Sequence, residues 1–238
     1  MSDLWTMIWK EWKDVLFQGG GWRAWIRPLL MLGIAGVYVP LQSGRLWLSL
    51  TPLSLFVLLW IPFYLIINLI GDAIAGERER HTLETLLASR MPDRAILLGK
   101  VLIVVGYGMG LLLASLLLGL VLVNLTNSEG AWQFYPSDLL LGVIVLGLAV
   151  TLLGAGGGVL VSLRSSTVRQ AQQVLGIGTL VVTFGVGFAL SKLLPGDFFV
   201  TYTVAQLLLF ATLLFALIDV VVLGYAVVRF QRARLIAS

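Results

Sequence analysis

Residues Gly76–Lys100 read GERERHTLETLLASRMPDRAILLGK, and the reading of this stretch decides the fold of the chain. Glu77, Arg78, Glu79, Arg80, Glu84, Arg90, Asp93, Arg94 and Lys100 give it the densest charge in the sequence, and long apolar runs flank it on both sides. Leu83, Leu86, Leu87 and Met91 recur at helical spacing and form one apolar face. Glu77 with Arg80 or His81, and Arg80 with Glu84, stand three or four positions apart, the spacing at which side chains pair along a helix. Pro92 lacks the amide hydrogen that a continuing helix needs, and Asp93 is placed to cap the helix that follows. The pattern predicts a short amphipathic helix over 77–92, a break, and a new helix entering apolar surroundings at Ile96. Neighbouring membrane spans are usually joined by a few residues, so an ordered charged helix here reads as a docking surface.

The surrounding composition says what kind of protein carries this helix. Of the 238 residues, 59% are hydrophobic and only 12% charged, where a soluble domain carries about a quarter charged. Six apolar runs are each long enough for a hydrocarbon core of about 30 Å. They lie near Pro28–Ser43, Pro52–Gly71, Ile96–Asn124, Leu139–Leu163, Val174–Leu193 and Val204–Val228, the first beginning as early as Trp25. The expected fold is an all-α polytopic membrane protein with six transmembrane helices. With the N-terminus inside, Lys10, Lys13, Arg23, Arg27, Arg78, Arg80, Arg90, Arg94, Lys100, Arg164, Arg169, Arg229, Arg232 and Arg234 fall on the cytoplasmic side, and only Arg45 and Lys192 fall outside. This positive-inside bias places both termini and the charged helix in the cytoplasm. The same distribution excludes nucleic acid as a partner, because the basic residues flank spans and form no single patch. With no cysteine, disulfides and thiolate metal sites are excluded.

Met1–Gln18 is no signal peptide, since Asp3, Glu11 and Asp14 interrupt it. Leu4, Trp5, Ile8, Trp9, Trp12, Val15 and Leu16 line one helical face opposite Lys10, Glu11, Lys13 and Asp14, as in a helix lying in the lipid interface. Gly19-Gly20-Gly21 and an aromatic, basic belt of Trp22, Arg23, Trp25 and Arg27 lead into the first span. Asn124-Leu125-Thr126 fits a glycosylation sequon but abuts a span. The glycine groups 106–110 and 154–158 lack the spacing of phosphate-binding loops, and small residues inside spans let helices approach closely. Asp219 is the one ionisable residue deep in an apolar run. It is read either as part of a substrate path or subunit interface, or as a structural, protonated or hydrogen-bonded carboxyl.

Gly-Glu-Arg-Glu-Arg at 76–80, Thr-Leu-Glu-Thr-Leu-Leu at 82–87, Pro92 and Gly99-Lys100 together resemble the signature of the type 2 ABC transporter permeases. The resemblance implies a single transmembrane permease domain over 1–238, with an interfacial elbow helix at 1–21 and a coupling helix at 77–92. It implies that Glu77, Arg78, Glu79, Arg80, Leu83, Glu84, Leu86, Leu87 and Met91 face a separate ABC ATPase subunit. It also implies a second permease subunit, identical or related, that completes the path, and export across a prokaryotic plasma membrane. No cofactor is expected on this chain; ATP and Mg belong to the partner ATPase, and lipid is the other partner. His81 departs from the family, which often has a small residue such as Gly there. In the family the segment between the last two spans folds part-way back into the membrane; the aromatics Phe198, Phe199 and Tyr202 fit an ordinary interfacial belt equally well.

Without a Walker A sequence, ATP must be hydrolysed by another polypeptide. An ion- or proton-driven secondary transporter is the alternative, but it usually carries several intramembrane charges or repeated halves. A membrane enzyme is disfavoured by the absence of HExxH and of paired intramembrane aspartates.

Overall fold

A computed structural model describes residues 2–17, 23–82, 92–127, 131–193 and 201–230, and the regular structure among them is helical. The helices are α1 (Ser2–Phe17), α2 (Arg23–Gly33), α3 (Val39–Ser43), α4 (Arg45–Leu48), α5 (Pro52–Glu79), α6 (Asp93–Thr126), α7 (Ser137–Arg164), α8 (Val168–Leu193) and α9 (Val204–Arg229). Among the described residues, five stretches are helical, long and apolar enough to cross a membrane: Trp25–Ser43, Pro52–Glu79, Asp93–Thr126, Ser137–Arg164 and Val204–Arg229. The protein is therefore an all-α, polytopic integral membrane protein. These five coincide with five of the six expected runs. The remaining run, Val174–Leu193, lies within the 26-residue α8, so the described residues support five such helices where the sequence suggests six.

Local chemistry explains where the helices begin. Thr51 caps α5, its hydroxyl accepting from the Ser54 amide, and Pro52 at the first helical position gives up no needed donor. Thr203 and Gln206 form a reciprocal capping box ahead of α9. At α6 the cap is Pro92, which offers no side-chain bond, and Asp93 is already helical. The expected Asp93 cap is thus replaced by an acidic side chain in the first turn, where it complements the helix dipole. Between α2 and α3 the chain widens into a π turn at Ile34–Tyr38. This turn carries Gly36 against α6, where an added Cβ would lie 3.2 Å from Leu118.

The central packing is α5 against α6 and α7, with α9 laid along α7. Glycines let these helices approach. A Cβ on Gly154 would lie 2.8 Å from Phe63, and one on Gly108 or Gly158 would collide with Ile66 or Ile70. The glycine groups are thus packing surfaces. Asn124 of the sequon is buried, its side chain bonded to Leu120 and to both the amide and carbonyl of Gln133. It offers no acceptor site. Two apolar clusters fill the bundle. One gathers Met7, Ile66, Ile70, Ile74, Ile96 and Val104, the other Trp47, Leu58, Leu112, Leu116, Tyr135 and Val143. In α9 only Leu208, Asp219 and Ala226 are buried, while Leu209, Phe210, Leu213, Leu217 and Val220 stand exposed.

Candidate functional site at the Glu77 end of the bundle

The charged stretch begins inside α5. Gly76–Glu79 continue the helix of the second apolar run without interruption. Its end is a two-bond stop: the Thr82 amide donates to the Glu77 carbonyl at 2.9 Å and the His81 amide to the Arg78 carbonyl at 3.1 Å. This is the Schellman arrangement, which needs a left-handed residue after the cap. His81 takes that role with φ +56°, a conformation that glycine adopts without steric strain. The position where the sequence departs from its family resemblance is therefore the one with a backbone reason for a small residue.

Glu77, Arg78 and Glu79 each reach a different neighbour, and Glu77 does not pair with Arg80 or His81 as helical spacing suggested. Glu77 is buried, and its Oε1 accepts from Lys100 Nζ at 2.9 Å and from Lys10 Nζ at 3.2 Å. Lys100 is 2% exposed and donates a second bond to Glu11 Oε1 at 2.9 Å, while Lys10 lies 3.5 Å from Glu11. Two ammonium groups and two carboxylates thus join α1, α5 and α6. Buried charges are tolerable only when paired in this way. Glu77 Oε2 is also buried and has no partner among the described residues.

Arg78 donates to the Ser165 carbonyl at 2.9 Å and the Leu163 carbonyl at 3.2 Å. Glu79 Oε2 accepts from the Val168 amide at 3.0 Å. A cation therefore sits at the C-terminal end of α7 and an anion at the N-terminal end of α8, each favoured by the local helix dipole. Ser162 adds a third tie, its Oγ accepting from the Ala75 amide at 2.9 Å and donating to the Gly71 carbonyl at 3.1 Å. Arg80 turns back along its own helix to Asp72 at 3.5 Å, an exposed pair. The expected pairs of Glu77 with Arg80 and His81 are replaced because Lys100 and Lys10 are closer.

Leu83, Glu84, Leu86, Leu87 and Met91, the rest of the expected docking face, lie outside the described residues. In α1 the expected orientation is modified. Met7 and Glu11 are buried and Trp5, Trp9 and Trp12 are exposed, with Lys13 Nζ 5.1 Å from the Trp9 ring centre. Met7 fits over Gly99, where a Cβ would lie 2.6 Å from the methionine side chain. Asp219 lies far along the chain in α9; it is 5% exposed, and neither carboxylate oxygen has a hydrogen-bond partner among the described residues.

Sequence reasoning missed Lys10, Glu11 and Lys100 as members of this site. A signal existed for Lys100, a lone ammonium four residues into an otherwise apolar run from Ile96. Its carboxylate Glu11 is 89 positions away, beyond any local pattern. Among the described residues no group of three or more His, Asp or Glu side chains is arranged to hold a metal ion.

The arrangement is a network of ion pairs and hydrogen bonds that joins helix ends. Three consecutive side chains at the end of one helix grip α1, α6, α7 and α8. The family described as ABC-2 type transporter matches residues 2–204. Over 159 residues the chain is 30% identical to the ABC transporter permease protein NatB of Bacillus subtilis (strain 168), an alignment covering 62% of this chain and 40% of that protein.

Proposed function

The chain belongs to the ABC-2 type transporter family, and we propose that it is the membrane-spanning permease subunit of an ATP-driven exporter. The observation that carries this reading is the joint at Glu77, Arg78 and Glu79, which distributes a load on the following segment to four other helices. In this proposal that segment, with Leu83, Leu86, Leu87 and Met91 as apolar contacts and Glu84 and Arg80 setting register, seats on a separate ABC ATPase subunit. The ATPase holds ATP and Mg and supplies the energy. Closure of two ATPase subunits then biases the bundle between inward- and outward-facing shapes, because each shape fits a different ATPase spacing.

The proposal includes six spans, with Val174–Leu193, inside α8, as the fifth, which puts both termini and the charged segment in the cytoplasm of a prokaryotic cell. It also includes a second permease subunit, related or identical, that completes the path. The exposed apolar faces of α8 and α9, among them Ile177, Phe184, Leu213 and Leu217, are available to lipid and to that subunit. Asp219 belongs to the path or to the subunit interface. Its unpartnered carboxylate is also the observation that favours ion-driven secondary transport as the alternative.

Purification from membranes tests the first reading, with retention of a Walker-type ATPase as the expected result. Solute movement by the purified chain in vesicles without nucleotide would reject it and select the alternative. The double variant Glu79→Lys/Leu87→Asp is expected to insert normally and to lower transport-coupled ATP hydrolysis. Wild-type turnover in the reconstituted complex would remove the coupling role from this segment.

A further inference from the structure

Lys100 is the most buried charged side chain of the joint, yet it belongs to α6 and not to the stretch that would meet an ATPase. Its ammonium group holds Glu77 of α5 and Glu11 of α1 at the same 2.9 Å. Removing it would leave two buried carboxylates facing each other with only the half-exposed Lys10 between them. We propose that Lys100 is a positioning residue for energy coupling, and that Glu11 is its second anchor. Together they lock the interfacial helix α1 and the first turns of α6 to the root of the cytoplasmic segment, so that the three move as one body. The inference rests on the permease reading above, and it adds residues on which that reading is silent.

Geometry supports a single body over a loose contact. Met7, one turn before Glu11, is fully buried over Gly99, immediately before Lys100. The ionic and apolar contacts therefore fix α1 on α6 at two adjacent levels, and the pair Lys100–Glu77 extends the fixation to α5. Motion of the α5 end would drag α1, whose Trp5, Trp9 and Trp12 are exposed and suited to a lipid interface. α1 then acts as a moving part of the transporter, beyond its role as an anchor.

The chain has no cysteine, so introduced cysteines are the only labelling sites it carries. Spin labels at Lys13→Cys in α1 and Leu98→Cys in α6 report whether the two helices move together. In the complex purified with its ATPase, the wild-type distance distribution is expected to be narrow and the same with and without Mg-ATP plus vanadate. In Lys100→Met it broadens and becomes nucleotide-dependent, and ATP hydrolysis by the complex in phospholipid vesicles falls roughly fivefold or more, the scale of ordinary coupling between sites. Lys100→Arg, which keeps both charge-assisted bonds, recovers the narrow distribution and most of the hydrolysis. If Lys100→Met does not reach the membrane, Glu11→Gln is read in the same way.

A narrow, nucleotide-independent distribution in Lys100→Met with full hydrolysis would overturn the proposal. Broadening without loss of hydrolysis would make the contact purely structural and overturn it too, as would an equal loss in Lys100→Arg and Lys100→Met. Failure of any ATPase to copurify with the wild-type chain rejects the permease reading instead, and the α1–α6 distance in the chain alone then still decides whether the lock exists.

Discussion

The two ends of the bundle are held together by different forces. At the Glu77 end the ties are ionic: Lys100 and Lys10 with Glu77 and Glu11, Arg78 on the α7 end, Glu79 on the α8 start. At the other end they are neutral and aromatic. Trp47 of α4 is fully buried, its indole donates to the Tyr135 hydroxyl at 3.0 Å, and that hydroxyl donates to the Leu116 carbonyl at 2.9 Å. The ring lies on Gly119, where any Cβ would collide with it. Arg45 closes the rim by donating to the Asn127 carbonyl at 3.1 Å.

The difference bears on which end can move. Coulomb attraction falls off slowly with distance, so an ion pair keeps its partners associated through small changes of separation. Dispersion contacts around an indole weaken steeply within an ångström. The Glu77 end is thus suited to keep its helices together as one body when that body moves, and the Trp47 end to hold one geometry.

The comparison can be broken first at the aromatic end. Trp47→Ala leaves a large cavity and removes the indole donor from the Tyr135 hydroxyl, with an expected loss of about 3–5 kcal/mol. Thermal unfolding in detergent micelles measures it, and a loss under about 1 kcal/mol would show that the clamp is not rigid. Glu77→Gln at the ionic end should lose about 3 kcal/mol, at the lower edge for a broken buried pair because Glu11 still faces Lys100. The α1–α6 spin-label distance should stay narrow in this variant, because Lys100 still holds Glu11 and only the tie to α5 is lost.

Tyr135→Phe sharpens the contrast. Without the hydroxyl, the buried Trp47 N–H loses its partner and the Leu116 carbonyl its second donor, and about 1–2 kcal/mol should be lost. Burial pushes the Tyr135 hydroxyl up to about 12, with the Trp47 hydrogen bond opposing in part. The folded protein thus holds this proton more tightly than the unfolded chain, whose tyrosine ionises near 10. The stability from this group is complete below about pH 10 and is lost as pH rises toward 12. Alkaline unfolding of wild type and Tyr135→Phe should therefore converge across that window; parallel curves would show that the hydroxyl ionises freely. The smallest effect is expected at His81→Gly. It relieves a left-handed backbone and should stabilise the end of α5 by roughly 0.5–1 kcal/mol, seen as slower amide exchange at Thr82.

Much of the architecture was legible in the chain. Long apolar runs are local signals and helices cover them; the caps at Thr51 and Thr203 are local as well, but they entered only with the structure. The end of α5 was not legible. Its apolar run stops near Gly71 but the helix continues to Glu79, since charged side chains favour helix as well as apolar ones do. The stop falls on His81, whose identity announces no turn as a glycine would.

The candidate site was legible in composition and not in pairing. Glu77, Arg78 and Glu79 stood out as charges beside a span, and the partners expected for Glu77 were Arg80 and His81, three and four positions away. Their actual partners come from Lys10, Lys100, Leu163, Ser165 and Val168. By itself, the sequence determined that this is a helical membrane protein with a charged segment at the end of its second apolar run, because hydrophobic length and helix caps act within a few residues. The tertiary structure decided which helices that segment grips, because the choice among oppositely charged partners depends on which ones packing brings within about 3 Å.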